Sequence, residues 1–372
     1  MRGKNVLGLI FANTDDASLH QVTGIRSMAS VPFGGGYRLV DFTLSNMVNA
    51  GIGKVGVITD NNYQSLMDHI GAGKPWDLAR KNDGLYLLPP FNAAAVANFN
   101  AGGVGALKNV MNFLERSSEE YVFITACSYV ANLDLTKIFA FHEESGADLT
   151  VLSAVGRAPD FVDQPIVEEI ENGRVARVRL GAPQGDNETW LLRAVLVKKS
   201  VLESIVREAY AKGETSLERD ILLKNVSRLK ICAYAVPGYV AAMDSFENYF
   251  KANFALLQKE NFQSLFPADR PVYTKTYEDM PAVYGLGSDV RNSLIADGCI
   301  IDGEVENCIL FRGCRIEKDA VVKNSILMPG CFVGEGAAMN YVVADKSAAL
   351  RPRKVLSGAD SYPIYIGKEI QI

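Results

Sequence analysis

The sequence predicts a layered, Rossmann-like α/β domain followed by a left-handed parallel β-helix. A chain of 372 residues exceeds what one hydrophobic core usually supports, so two domains are expected. Up to about Leu257, short apolar runs alternate with amphipathic segments, whereas the C-terminal part repeats with a period of six residues. We therefore place the α/β domain at residues 1–257, a linker at 258–288 and the β-helix at 289–372.

The alternating region predicts strands and helices in the order of a doubly layered sheet. Apolar runs predict strands over 6–11, 55–59, 121–125, 149–154 and 191–198, and amphipathic segments predict helices over 42–50 and 135–144. Strand–helix alternation indicates parallel β-α-β units, in which ligands bind at the carboxyl ends of the strands. The loops after Phe11, Thr59 and Thr125 are therefore the expected location of a site.

The C-terminal region predicts a β-helix because small and apolar residues recur at every sixth position. One such series is Cys308, Cys314, Ala320, Ile326, Phe332, Ala338, Ala344 and Leu350, and a second is Leu310, Ile316, Val322 and Met328. Three hexads form one coil, with these positions facing inward. We expect the corners, where positive φ is required, to hold glycines, namely Gly298, Gly303, Gly313, Gly330 and Gly334.

Composition narrows the classes of partner and compartment. A net charge of -5 and a pI near 5.5 argue against a nucleic-acid partner held by a general basic surface. The N-terminus lacks the pattern of a secretory signal, and no stretch is apolar enough to span a membrane, so a cytoplasmic location is expected. The six cysteines show no metal-binding spacing and are interpreted as buried free thiols.

One segment carries a specific resemblance to a known family. Residues 32–70, PFGGGYRLVDFTLSNMVNAGIGKVGVITDNNYQSLMDHI, strongly resemble the corresponding region of bacterial glucose-1-phosphate adenylyltransferases, also called ADP-glucose pyrophosphorylases. ADLTVL at 147–152, ENYFKANFALL at 247–257 and the β-helix extend the resemblance over essentially the whole chain. The resemblance implies a nucleotidyltransferase domain that joins ATP and glucose 1-phosphate into ADP-glucose, within a tetramer controlled by metabolites.

The phosphate-binding loop of that family is eroded in this chain. Active relatives have a glycine-rich loop with an arginine after the first strand, so that bare N–H groups approach the triphosphate. Here the loop, residues 12–19, reads ANTDDASL, without glycine or arginine. The resemblance leaves a set of vestigial nucleotide-binding positions: Asn13, Thr14, Gly34, Gly35, Gly102 and Gly103.

Four further positions lack the charged group that the resemblance places there. The lysine that meets the phosphates falls on Met28, and the metal-binding aspartate after the central strand falls on Ser128. Two later aspartates fall on Ser216 and Ala242. Loss of one preorganised electrostatic group costs about 3 kcal/mol, so little catalysis is expected, and we assign no catalytic or metal-binding residue.

Some basic residues match positions that bind regulatory ligands in the family. By the resemblance, Arg26 and Arg38 help to hold a phosphorylated effector between the two domains, and Arg116 corresponds to a cation linked to nucleotide inhibitors. Guanidinium groups suit phosphate oxygens, although structural salt bridges are the alternative interpretation. A basic run after the last hexad, Arg351, Arg353 and Lys354, either supplies charge from the β-helix or is simply solvated.

The sequence leaves three functions open. The coordinated losses favour a noncatalytic regulatory subunit that assembles with a catalytic glucose-1-phosphate adenylyltransferase subunit as a hetero-tetramer; a homo-oligomer of this chain alone is the alternative assembly. In that case Mg²⁺ and ATP belong to the catalytic partner, and this chain needs no cofactor. A second hypothesis is a weakly active nucleotidyltransferase in which Asp134 or Asp220 serves the metal. The third is a free-standing sensor of sugar phosphates or nucleotides.

Overall fold

A computed structural model describes residues 1–81, 83–89 and 103–372. The strands of the N-terminal domain are β1 (Val6–Phe11), β2 (Pro32–Phe33), β3 (Tyr37–Arg38), β4 (Lys54–Ile58), β5 (Gly84–Leu88), β6 (Tyr121–Ala126), β7 (Tyr129–Ala131), β8 (Leu149–Gly156), β9 (Pro165–Glu171), β10 (Arg174–Leu180), β11 (Glu188–Lys198), β12 (Ile231–Ala235) and β13 (Val240–Ala242). The helices are α1 (His20–Thr23), α2 (Leu39–Asn49), α3 (Gln64–Ile70), α4 (Gly103–Asn109), α5 (Met111–Glu115), α6 (Leu135–Ser145), α7 (Lys199–Ala211), α8 (Phe246–Phe254) and α9 (Lys259–Leu265), with a π-helix at Leu217–Leu223. The predicted strands and helices are confirmed to within three residues at each end.

A nine-stranded mixed sheet forms the centre of this domain. Strands β5, β4, β1 and β6 are parallel neighbours, as the β-α-β pattern predicts. Strand β11 runs antiparallel to β6, β8 and β9, which the prediction of parallel units missed. The reason is the connection: β8 leads to β11 through the hairpin β9–β10, and no crossover helix lies between them.

The C-terminal domain is a left-handed parallel β-helix with three faces of five strands each. Its strands are β14 (Val283–Tyr284), β15 (Asp289–Arg291), β16 (Leu294–Ile295), β17 (Ile300–Ile301), β18 (Glu304–Glu306), β19 (Ile309–Leu310), β20 (Arg315–Ile316), β21 (Val321–Lys323), β22 (Ile326–Leu327), β23 (Phe332–Val333), β24 (Ala338–Asn340), β25 (Val342–Ala344), β26 (Ala349–Leu350), β27 (Val355–Ser357) and β28 (Ile364–Ile366). The first strand and helix α9 both fall inside the predicted linker. Within the described residues, no helix is both long and apolar enough to cross a membrane.

The repeat is shorter than three full hexads. Val305 pairs with Val322 and Val322 with Met339, so these two coils take 17 residues rather than 18, and the first coil takes 15 because Val290 pairs with Val305. A strict six-residue count therefore drifts: Phe332 and Ala338 are only half-buried, and the inward series passes through Val333 and Met339 instead. Ile326 and Met328, also predicted to face inward, pack against the core of the α/β domain.

Asparagines occupy the same corner of three successive coils. Asn292, Asn307 and Asn324 have φ values of 42°, 50° and 44°, in the left-handed region that asparagine adopts more readily than most residues. Their side-chain amides form a ladder, with Asn292 donating to Asn307 (2.6 Å), Asn307 to Asn324 (3.3 Å) and Asn324 to Asn340 (2.9 Å). Each corner is thereby stabilised by hydrogen bonds along the β-helix axis.

The predicted corner glycines fall into two groups. Gly298, Gly313 and Gly330 have the positive φ that was predicted. Gly303 and Gly334 do not, and are required instead by close backbone approach: a Cβ on Gly303 would lie 2.3 Å from a carbonyl oxygen in the next coil. All six cysteines are buried free thiols, in agreement with the prediction.

The two domains share one hydrophobic core. Phe33 and Phe42 of the α/β domain belong to the same buried cluster as Ile309, Ile326 and Val343 of the β-helix. A buried ion pair joins Arg26 to Asp345 across this interface, with 2.8 Å between Nη2 and Oδ1. The β-helix therefore packs directly on the loops that follow the first strand.

Candidate functional site

A cleft of about 580 Å³ opens where the sequence predicted a site, beside the carboxyl ends of β1 and β6. Asn13 and Thr14 from the loop after β1 line it, together with Gly103 at the start of α4. Gly102, the other predicted glycine of that turn, lies outside the described residues. Gly34 and Gly35 do not line this cleft, because the β2–β3 hairpin carries them to the β-helix side, where a Cβ on Gly35 would contact Ile309.

The loop after β1 is tied together by its own side chains. The carboxylate of Asp16 accepts hydrogen bonds from the backbone N–H of Met28 (2.8 Å) and from the Asn13 amide (2.9 Å). Asn13 in turn accepts from the backbone N–H of Asp60 (2.9 Å). Burial raises the pKa of Asp16 to about 7. Asp16 therefore joins the loop after β1 to the backbone at Met28 and, through Asn13, to Asp60.

A second internal ion cluster crosses the cleft. Arg193 projects from β11 and places its Nε 2.9 Å from Oδ2 of Asp15, and its Nη1 donates to Glu218 of the π-helix. Its Nη2 donates to the carbonyl of Val162 (3.0 Å), and the guanidinium lies 5.3 Å from the centre of the Phe161 ring. Burial raises the pKa of Asp15, and Arg193 opposes that effect. The one buried cation of the cleft is thus shared between two carboxylates, within the part of the chain that the structure describes.

The structure brings together two positions that lack the expected aspartate. Strand β13 pairs with β7 so that Ala242 lies opposite Tyr129, and the N–H of Met243 donates to the carbonyl of Ser128 (2.8 Å). Ser128 also lies near Asp15, and its buried hydroxyl has no hydrogen-bond partner within the described residues. Ser216 lies apart from this pair, on the cleft wall, where it caps the π-helix by accepting from the N–H of Arg219 (3.1 Å).

Met28 and the alternative acids have structural roles. The Met28 side chain is fully buried in the core, so nothing at this position reaches the cleft. Asp220 accepts from the N–H groups of Thr215 and Ser216 (2.9 Å each) and pairs with Lys224. Asp134 caps α6 and does not line the cleft. Both aspartates considered for a displaced metal site are therefore committed to local structure.

The residues of the cleft do not fit the magnesium site that the family implies. Mg²⁺ requires hard oxygen ligands, usually one or two carboxylates and the substrate phosphates. At the paired positions stand Ser128 and Ala242, and the neighbouring Asp15 carboxylate is neutralised by Arg193. Over residues 1–81, 83–89 and 103–372, no three His, Cys, Asp or Glu side chains converge on a point that could hold a metal ion.

The three predicted effector arginines have different environments. Arg26 is 2% exposed, and its guanidinium forms an ion pair with Asp345. Arg38 is half-buried, donates to the carbonyl (2.6 Å) and hydroxyl (3.0 Å) of Ser65, and lines a pocket between the domains. Arg116 is exposed just before β6, at the amino end of the sheet, and does not line that pocket. The structure thus places Arg26 and Arg38 near each other and Arg116 elsewhere.

The pocket beside Arg38 is small and cationic. It has a volume of about 220 Å³, and Arg312, Lys346 and Lys368 of the β-helix line it together with Arg38. No carboxylate lines it among the described residues. The sequence analysis missed these three β-helix cations and named Arg351, Arg353 and Lys354, which are exposed. Single cations at β-helix corners resemble ordinary solvated residues, so the sequence contained no signal for them.

Comparison with known proteins gives the same division of the chain. A family model described as nucleotidyl transferase matches residues 16–178, and a GlmU-like C-terminal hexapeptide model matches residues 283–361. Glycogen biosynthesis protein GlgD of Bacillus subtilis (strain 168) is 32% identical over 99% of this chain and 97% of its own length. GlgD of Geobacillus stearothermophilus is 34% identical over 85% of this chain and 82% of that protein. A glucose-1-phosphate adenylyltransferase of Clostridium botulinum (strain Alaska E43 / Type E3) is 30% identical over 99% of this chain and 96% of that enzyme.

Proposed function

The chain belongs to the glucose-1-phosphate adenylyltransferase family, which includes GlgD, and we propose that it acts in glycogen biosynthesis as a regulatory subunit of that enzyme. In this role it assembles with a catalytic subunit and modulates ADP-glucose synthesis, and it does not catalyse the reaction by itself. Mg²⁺ and ATP are bound by the catalytic partner.

The observation that carries the proposal is the internal compensation of charge in the nucleotide cleft. Nucleotidyl transfer depends on cations and N–H donors aimed at phosphate oxygens. Here Arg193, which lines the cleft, is paired with Asp15 and Glu218 of the same chain. Several missing electrostatic groups, each worth about 3 kcal/mol, leave little rate enhancement.

The cationic pocket between the domains supports a regulatory role. Arg38 and three β-helix cations face a cavity that no described carboxylate lines, a chemistry that suits a phosphorylated effector. Because both domains contribute, a ligand there would bias how the β-helix packs on the α/β domain. We therefore assign the effector to this pocket, with Arg38 as its contact from the α/β domain and Arg26 as a structural neighbour.

A mixing experiment tests the proposal. ADP-glucose formation is measured for this chain alone, for a catalytic glucose-1-phosphate adenylyltransferase alone and for the two co-expressed, and co-elution is followed by size-exclusion chromatography. We expect no turnover by this chain, a stable mixed complex, and changed substrate affinity or effector response in the mixture. An Arg38→Met variant should still co-elute but should weaken the effector response.

Two results would contradict the proposal. Mg²⁺-dependent turnover by the lone chain that Asp220→Ala abolishes would indicate a weak enzyme. Tight binding of sugar phosphates or nucleotides without affinity for the catalytic subunit would indicate a free-standing sensor. The present contacts of Asp220, which accepts from two backbone N–H groups and pairs with Lys224, argue against the first of these.

A further inference from the structure

Apolar side chains form most of the lining of the nucleotide cleft. The cavity of about 580 Å³ extends between the sheet and two helices. Strands β6, β8 and β11 contribute Ile124, Val151 and Leu191 to its lining, and α4 and α7 contribute Leu107 and Leu202. All five residues are at most 5% exposed. A cavity of this size and lining suits the apolar body of a small organic ligand.

Carboxylates outnumber cations among the charged side chains that line this cleft. Arg219 pairs with Asp163, with 2.8 Å between Nη2 and Oδ2. Arg193 is shared between Asp15 and Glu218. Both cations of the described lining are therefore compensated within the chain, and two further carboxyl groups line the same cleft.

These two carboxyl groups belong to Asp16 and Asp60, at the carboxyl ends of β1 and β4, and the side chain of Asn13 joins them. Asn13 donates to Oδ2 of Asp16 (2.9 Å) and accepts from the backbone N–H of Asp60 (2.9 Å). Asp60 is 9% exposed, and its carboxylate forms no hydrogen bond or ion pair with a described residue. Burial raises the pKa of Asp60, and no described cation opposes that effect. A positively charged donor in the cleft would supply the missing partner.

We propose that the cleft binds a small amphipathic ammonium ligand, whose apolar body lies against the sheet and whose charged head donates to Asp60 beside Asp16. An ammonium group carries only donors, and a carboxylate carries only acceptors, so their hydrogen bonds are charge-assisted. A phosphate would instead meet both carboxyl groups as like charges. The inference goes beyond the proposed function, because it assigns this cleft a ligand of its own.

Three phenyl compounds of nearly equal size test the preference for charge. Phenethylammonium, phenethyl alcohol and hydrocinnamate share an apolar body and differ in the charge of the head group. Ligand-observed NMR titration of the full chain measures their dissociation constants at pH 8, above the pKa of about 7 of Asp16, where a primary ammonium is still protonated. We expect the ammonium to bind about tenfold more tightly than the alcohol. The carboxylate should bind more weakly than the alcohol.

Matched variants locate the head group and the apolar body. Asp60→Asn keeps the side-chain shape and removes its charge, so ammonium binding should weaken about tenfold while alcohol binding stays unchanged. Asp186→Asn is the control, because Asp186 is 89% exposed and does not line the cleft, and it should leave all three affinities unchanged. Ala106→Leu narrows the apolar part of the cavity and should weaken all three probes. Thermal melting establishes that each variant is folded.

The outcomes separate this inference from the proposed function. Equal affinity for the three probes, or ammonium binding that is undiminished in Asp60→Asn, overturns the inference. Failure of all three probes to bind overturns it as well. Tighter binding of hydrocinnamate than of phenethylammonium would show that the arginines of the cleft are available to anions. None of these results bears on assembly with a catalytic subunit, and a failed mixing experiment would leave the ammonium site unaffected.

Discussion

The buried ion pair between Arg26 and Asp345 provides the sharpest test of how the two domains are held together. Both side chains are almost fully buried, 2% and 0% exposed, and the two atoms are 2.8 Å apart. Replacing Arg26 by Met keeps much of the side-chain volume but leaves the Asp345 carboxylate without its counter-charge. Removing one partner of a buried pair costs about 3–5 kcal/mol.

The double variant Arg26→Met/Asp345→Asn should be less destabilised than Arg26→Met alone. The neutral amide no longer requires a cation, although it keeps an oxygen that can accept from the Tyr365 hydroxyl. We expect the second change to recover about 2 kcal/mol of the first, an interaction energy well above that of exposed pairs. Since the whole protein is stable by only about 5–15 kcal/mol, the effect should be large.

Urea unfolding of the unmodified chain, the two single variants and the double variant measures the effect. The midpoint of each transition is followed separately, because two domains need not unfold together. Arg80→Met is the matched control, because Arg80 pairs with Asp77 on the surface, where the two side chains are 46% and 87% exposed. That control should cost less than about 1 kcal/mol. Equal costs for Arg26→Met and Arg80→Met, or simple additivity in the cycle, would refute the reasoning.

Three further predictions concern the cleft and the β-helix. Burial raises the pKa of Asp16 from 3.8 to about 7. The contribution of this protonation to the free energy of unfolding is therefore complete below pH 3.8 and is lost as pH rises through 7. In urea unfolding, Asp16→Asn should flatten the pH dependence of that free energy by up to about 4 kcal/mol over this range. Asn324→Ala should lower the free energy of unfolding by about 2 kcal/mol in chemical denaturation, because alanine loses the side-chain amide hydrogen bonds and is poorly suited to a φ of 44°. Asn324→Gly should cost about half as much, because glycine loses only the hydrogen bonds. Gly303→Ala should destabilise the β-helix by several kcal/mol, because the added Cβ would lie 2.3 Å from the carbonyl oxygen of Ala320. Gly313→Ala should cost about 1 kcal/mol, because the added Cβ meets open space but the backbone has a φ of 67°. Equal effects of the two substitutions on the thermal midpoint would contradict this distinction.

Period and composition predicted the layers of the fold but not the details of its connections. The parallel strands β1, β4 and β6 were predictable because helices separate them and each is a continuous apolar run. The antiparallel direction of β11 depends on which strand it pairs with, a long-range choice that local pattern does not encode. The departure of the coils from 18 residues was missed because coil length is set by which strands pair along the β-helix, and asparagine at the corners is also typical of an ordinary turn.

For the site, the sequence predicted which groups are absent and could not predict what replaces them. The losses at Met28, Ser128 and Ala242 are visible residue by residue. The role of Arg193 was not predictable, because it comes from the middle of a strand far along the chain and meets Asp15 only in the folded sheet. The same holds for Lys346, whose neighbours come from both domains.

The two cavities differ in how their charges are compensated, and that difference is what the function hypothesis must explain. In the nucleotide cleft the buried cation Arg193 has two carboxylate partners of the same chain, so an incoming phosphate would have to displace them and leave them buried. In the pocket between the domains four cations line a cavity that no described carboxylate lines, although Asp279 lies 3.6 Å from Arg312 and Glu369 lies 3.2 Å from Lys368. Anion affinity is therefore expected at the interface of the domains and not at the former catalytic centre. A ligand bound there contacts both domains at once, which couples its binding to their packing, as regulation requires.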